Sequence, residues 1–126
     1  FQRRNAYRVR PHSRSDPVAR FGHPSMPEMQ LALRVLDVSI GGCALWLPND
    51  VPPLQAGTRI GEMRIELDDD TRFASSVVLQ HVSMLGNGEH GVRLGCEWQK
   101  LPGAGERALQ RWIDQSQKRS RMLQLR

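Results

Sequence analysis

Apolar and polar residues alternate with a period of two along most of the chain from residue 17 to residue 99. In residues 29–39, MQLALRVLDVS, Leu31, Leu33 and Val35 face one way, and Gln30, Ala32 and Arg34 face the other. That is the pattern of a half-buried strand. A short strand over 18–21 comes before it, ended by Gly22, Pro24 and Pro27, and another follows over 43–47, closed by Pro48. Residues 51–57 read as a loop. Residues 58–67 alternate through Ile60, Met63 and Ile65, with a slip at Gly61 that predicts a β-bulge. After an acidic turn at 68–71, residues 72–85 form a long stretch rich in β-branched residues. The turn at 86–90 holds Gly86 and Gly88, which can supply positive φ. In residues 91–99, Val92, Leu94 and Cys96 share one side, and Arg93, Gly95 and Glu97 the other. The period changes only at 105–123. There Ala108, Leu109, Trp112 and Ile113 form one stripe opposite Arg107, Gln110, Arg111 and Asp114, as in an amphipathic helix. Short strands joined by tight turns predict an all-β, six-stranded antiparallel barrel, plugged or flanked by one C-terminal amphipathic helix. Residues 1–16, rich in Arg, Ser, Pro and His, show little periodicity and read as a mobile arm. The organisation is therefore an arginine-rich arm at 1–16, a barrel at 17–102, and a helix with a basic tail at 103–126.

At 126 residues the chain has the size of one domain. Its net charge of +5 is unevenly spread. Residues 1–20 carry a net +5, residues 21–116 a net −4, and residues 117–126 a net +4. A nucleic-acid binder spreads its charge over a folded face, and this chain does not. Sixteen of its 18 basic residues are Arg. Arg has a planar fork that grips phosphate in pairs and stacks on aromatic rings, which Lys cannot do. That favours a ligand with both phosphate and base, although a GC-rich genome would give the same bias. No apolar run approaches the roughly 18 residues of a membrane span, and no apolar stretch follows the basic start, so it is not a signal peptide. The first residue is Phe1, not Met, as in a piece of something longer. Cys43 and Cys96 are too few for a disulfide framework. The four histidines have no metal-ligand spacing. Together these read as inert thiols in a reducing cytoplasm. No nucleophile lies beside a base in a telling way, so the expectation is a binding module and not an enzyme.

Two stretches stand apart from the strand pattern. RRNAYR, at 3–8, sets Arg3, Arg4 and Arg8 together before any core-forming run. LDVSIGG, at 36–42, sets Asp37 and Ser39 two apart, so that both project to one side of extended backbone. Gly41 and Gly42 let the chain turn and a flat group approach. An Asp can accept a pair of N–H donors from a guanine edge, and a Ser hydroxyl can bond phosphate. The same residues would also make an ordinary Asx or Ser turn in a hairpin. Taken in order, Arg4-x-x-x-Arg8 and Asp37-x-Ser39-x-x-Gly42 resemble the PilZ domain pattern, RxxxR followed by [D/N]xSxxG. QRR…YRV and the late GCEW look most like the C-terminal half of YcgR-type flagellar brake proteins, although the N-terminal domain of such proteins does not precede them here.

The resemblance implies a PilZ-type barrel that binds cyclic di-GMP, with no resident cofactor or metal. It implies that Arg4 and Arg8 grip phosphate and stack on guanine, that Asp37 and Ser39 bond a guanine edge and nearby groups, and that Gly41 and Gly42 permit close approach. Arg3, just before the motif, implies an intercalated dimer of the nucleotide. Apart from the resemblance, Val92 and Leu94 take the opposite face from Arg93, which is expected either to project from the barrel near the same site or to be a solvated strand residue. Partners implied by the family are flagellar rotor or stator proteins, with location in the cytoplasm at the flagellar basal body. Two other classes compete. A small nucleic-acid-binding barrel would need aromatic platforms on one strand face, and no aromatic pair lies on one strand. A protein adaptor that has lost nucleotide binding would not keep intact motifs. Trp98 and Trp112 are expected in the core, Trp46 in the core or on a partner surface, and Tyr7 as an anchor of the arm.

Overall fold

The computed structural model describes residues 17–85 and 90–124, with side chains as far as residue 118. Six strands precede one helix: β1 (Val18–His23), β2 (Met26–Ser39), β3 (Gly42–Leu47), β4 (Arg59–Glu66), β5 (Arg72–Met84), β6 (Val92–Trp98) and α1 (Gly103–Gln124). All pairings are antiparallel, and the strands close into a barrel in the order β1-β2-β3-β6-β5-β4, with β1 completing the circle against β4. The inward residues of the alternating pattern fill the interior, among them Leu33, Val35, Leu45, Ile65, Leu79 and Leu94. Helix α1 lays Leu109, Trp112 and Ile113 against the barrel, and Ala108 from the predicted stripe is half-buried. At its start, a Cβ on Gly105 would lie 3.2 Å from Phe73 Cβ, so helix and β5 pack closely there. Phe73 in turn meets Trp98 edge to face, with centroids 5.5 Å apart. Trp98 and Trp112 are buried, as the apolar pattern predicts.

The boundaries that differ most from the sequence reading are those between β1 and β2. β1 runs on to His23, and β2 begins at Met26, through Pro27. Pro27 is tolerated because the β1–β2 register breaks there, passing from Gly22↔Gln30 directly to His23↔Met26. The intervening residues have no ladder position, so none of their N–H groups is required for pairing. Of the turn at 86–90, residues 86–89 lie outside the described residues. The left-handed glycine next to it is Gly91, at φ 92°.

Among the described residues, three further register shifts interrupt the ladders. The one foreseen at Gly61 lies between Ile60 and Met63. Two others have no glycine to announce them. On β2, Val35 faces Leu45 and Asp37 faces Ala44, leaving Leu36 as the extra residue. On β5, Leu79 faces Cys96 and His81 faces Gly95, leaving Gln80 extra. A bulge of this kind reverses the phase of the side chains that follow it. Both of these bulges lie next to one patch of the outer barrel wall.

Candidate functional site

Strict alternation from Leu31, Leu33 and Val35 would carry Asp37 and Ser39 inward, into an apolar core. The bulge at Leu36 turns them out, and Val38 takes the inward place with no exposed surface. On β5 the bulge at Gln80 does the same for His81. A shallow cleft of about 260 Å³ lies between these two turned-out segments. Asp37 and Ser39 form its β2 wall, and Gln80, His81 and Ser83 its β5 wall. Its floor is the outer face of β3 and β6, where Gly42 faces Glu97 and Ala44 faces Gly95. Small residues keep that floor low, as a flat ring laid against it would require.

The structure thus brings together Asp37, Ser39, Gly41, Gly42 and Arg93 around one cleft. Arg3, Arg4 and Arg8 lie outside the described residues. The chain before β1 is anchored near the site all the same, because Val35 N–H donates to the Pro17 carbonyl at 3.1 Å. Eight residues lie between Arg8 and Pro17, and the nine steps of extended chain between them can span about 30 Å.

Arg93 Nη2 donates to Asp37 Oδ2 at 2.6 Å. Asp37 lies on β2 and Arg93 on β6, so the bond passes over the intervening β3. Arg93 faces Trp46 and Asp37 faces Ala44, and the small Ala44 leaves room for the guanidinium. The Asp37 side chain retains 15% exposure and that of Arg93 33%, so the pair is only partly open to solvent. Ser39 holds the hairpin. Its Oγ accepts from Gly41 N–H at 3.2 Å and donates to the Gly42 carbonyl at 3.5 Å. Trp98 ties this hairpin to the end of β6, through Nε1–H to the Ser39 carbonyl and N–H to the Gly41 carbonyl, both at 3.1 Å.

The two glycines differ in their surroundings. Neither has a positive φ. A Cβ on Gly42 would lie 1.9 Å from the Cys96 carbonyl oxygen, so what approaches Gly42 closely is the neighbouring strand. A Cβ on Gly41 would meet nothing nearer than Ser39 Oγ, at 3.9 Å, and this glycine is exposed at the turn.

Beneath the floor, Cys43 and Cys96 face each other across β3 and β6. A hydrogen bond with Cys96, then burial, then the charge interactions with Cys96 and with Asp37 push the Cys43 thiol well above the usual range. The shift favours its neutral form. The β5 wall was not read from the sequence. Gln80 Nε2 donates to Glu97 Oε1 at 3.0 Å across it, and its only local signal is a polar pair, Gln80-His81, inside an apolar strand. Trp46 is half-buried on the outer face, its Nε1–H donating to the His90 carbonyl at 2.9 Å. Among the described residues no group of three or more His, Cys, Asp or Glu could hold a metal ion, and no helix is long and apolar enough to cross a membrane.

Comparison with known proteins matches this geometry to a family. The sequence model of the PilZ domain matches residues 2–115. The flagellar brake protein YcgR of Methylibium petroleiphilum is 56% identical over 99% of this chain and 55% of its own length. That of Leptothrix cholodnii is 45% identical over 98% of this chain and 49% of its own. The chain spans about half the length of these curated relatives. Among solved structures, the PilZ domain of Escherichia coli YcgR with c-di-GMP superposes with a TM-score of 0.77 at 23% identity, covering 96% of both chains. A Klebsiella MrkH–c-di-GMP complex superposes at 0.80, with 20% identity over 97% of this chain and 56% of the other. These two likenesses show the shared fold.

Proposed function

The chain belongs to the PilZ domain family, and on that premise we propose that it is a non-catalytic receptor for cyclic di-GMP whose arginine arm closes on the nucleotide. The observation that carries this reading is the bulge at Leu36. It turns Asp37 and Ser39 of the family motif out of the core and onto a low-floored cleft. A cyclic dinucleotide brings two phosphates and two flat purines. The floor of Ala44 and Gly95 accepts a ring face, and Asp37 accepts the N–H donors of a guanine edge. Arg4 and Arg8 supply the phosphate grip and stacking, for which Arg is the suited side chain. Arg3 supplies charge for a second, intercalated nucleotide.

Ordering the arm opposes binding by about 1–2 kcal/mol for each backbone residue fixed, so the bound and free arms differ strongly. That difference is the signal. By analogy with the relatives' names, its reader is the flagellar motor, through rotor or stator proteins. Titration calorimetry tests the reading directly. Cyclic di-GMP is expected to bind with a stoichiometry of two, and a single-stranded oligonucleotide of similar charge is not expected to compete. Competition at equal affinity would favour the nucleic-acid-binding barrel instead. For the motor, production of the chain in a motile bacterium with raised cyclic di-GMP should slow swimming, and the Arg4→Ala chain should not.

A further inference from the structure

We infer that Arg93 is a positioning residue for base recognition, acting through Asp37 and not on the ligand itself. The inference rests on the receptor reading above. The Asp37 carboxylate is the group that reads a guanine edge, and reading N1–H and the 2-amino group together requires its plane to hold one orientation. The last torsion of an Asp side chain is broad and roughly two-fold, so the backbone alone does not set that plane. Arg93 does set it. Its Nη2 takes Oδ2 at 2.6 Å, a short charge-assisted bond, from a strand on the far side of β3. The guanidinium reaches Asp37 because Ala44 between them is small, and its own root faces Trp46, which is held by the bond to the His90 carbonyl. Each carboxylate oxygen has two lone pairs, so Oδ2 can keep Arg93 and still accept from a base. The guanidinium is thus committed to Asp37 before any ligand arrives. Arg93 and Asp37 are 56 positions apart, and only the barrel register brings them together.

The experiment compares calorimetric affinities for cyclic di-GMP and for its analogue with hypoxanthine in place of guanine, which lacks the 2-amino group. The wild-type chain should prefer guanine by about tenfold or more, the worth of a hydrogen bond to a charged group. Arg93→Met should bring that preference to within about threefold, and Arg93→Lys, which keeps the charge but not the fork, should fall between. Asp37→Ala should abolish the preference, and adding Arg93→Met to it should change neither affinity by more than about twofold, because the partner is already gone. Additive losses in the double variant would show that Arg93 touches the ligand or merely supports the fold, and would overturn the inference. So would a guanine preference that survives in Arg93→Met. A wild-type chain that binds neither dinucleotide would instead remove the receptor reading, and this role with it. Melting curves of the free chains show whether each variant folds. Should Arg93→Met not fold, the comparison of Arg93→Lys with wild type decides, and an unchanged guanine preference there counts against the inference.

Discussion

Replacing Gly42 with Ala should unfold the domain more readily. The new Cβ would lie 1.9 Å from the Cys96 carbonyl oxygen, 3.0 Å from its carbon and 3.1 Å from Glu97 Cα. A carbon and a carbonyl oxygen settle no closer than about 3.3 Å. All three neighbours are backbone, so no flexible side chain can swing away, and β3 and β6 must part by more than ~1 Å. Overpacking of this kind costs about 1–3 kcal/mol. The same movement strains the two bonds by which Trp98 holds the hairpin, to the Ser39 and Gly41 carbonyls, at about 1 kcal/mol each. A total of about 3–5 kcal/mol is a large part of a domain stability of about 5–15 kcal/mol. At about 4 °C per kcal/mol for a chain of this size, the melting temperature should fall by ~10–20 °C. Thermal unfolding followed by far-ultraviolet circular dichroism measures it. Gly41→Ala is the control, since its Cβ would meet only Ser39 Oγ at 3.9 Å, and it should melt within a few degrees of wild type. A Gly42→Ala chain as stable as Gly41→Ala would refute the claim that this motif glycine serves strand packing.

Other outcomes follow from the same structure. Arg4→Ala or Arg8→Ala should weaken cyclic di-GMP binding at least tenfold, through loss of bonds worth about 1.5–3 kcal/mol, without moving the melting temperature of the free chain; a large drop without ligand would show a structural arm. Cyclic di-AMP, whose adenine has neither the N1–H nor the 2-amino group that Asp37 reads in guanine, should bind poorly to wild type, and equal binding of the two dinucleotides would remove Asp37's assigned role. Arg3→Leu should lower the calorimetric stoichiometry from two toward one, and a value of two in the variant would be evidence against the third arginine's part. The raised Cys43 thiol means that the unfolded chain ionises first as pH rises, so stability should be whole below the ordinary thiol range of about 9 and decline above it. Urea titrations across pH 8–11 should show this slope reduced in Cys43→Ala, and an identical slope would count against it.

How far the sequence speaks depends on how far apart the cooperating residues lie. Val92, Leu94 and Cys96 against Arg93, Gly95 and Glu97 declare a strand locally, because core and solvent sit on its two sides, and the bulge at Gly61 is visible because a glycine breaks the alternation. The bulge at Leu36 is silent. Leu36 is apolar and half-buried, and nothing in VLDV shows that the phase reverses before Asp37. The motif thus names Asp37 and Ser39, while the reason they face outward appears only in the β2–β3 register. Gln80 and His81 are silent in the same way, since their place beside the cleft is set by pairing with β6. The Arg93–Asp37 bond is a product of strand order, and no spacing along the chain encodes it. Gly42 shows the opposite failure. Its identity is legible, but the reason for it, a backbone contact with Cys96, is not.

The bulges also bear on how the length of this chain can change over evolution. Indels in barrels are normally confined to loops, because one residue more or fewer in a strand turns the rest of it inside out. Leu36 and Gln80 are already surplus to their ladders. Removing either would leave Val35 followed by Asp37, or Leu79 followed by His81, in regular pairing with the same faces outward, and with only the local bend and twist lost. Mid-strand, where gaps are least expected, these are two positions at which a relative could be one residue shorter and still present the same cleft.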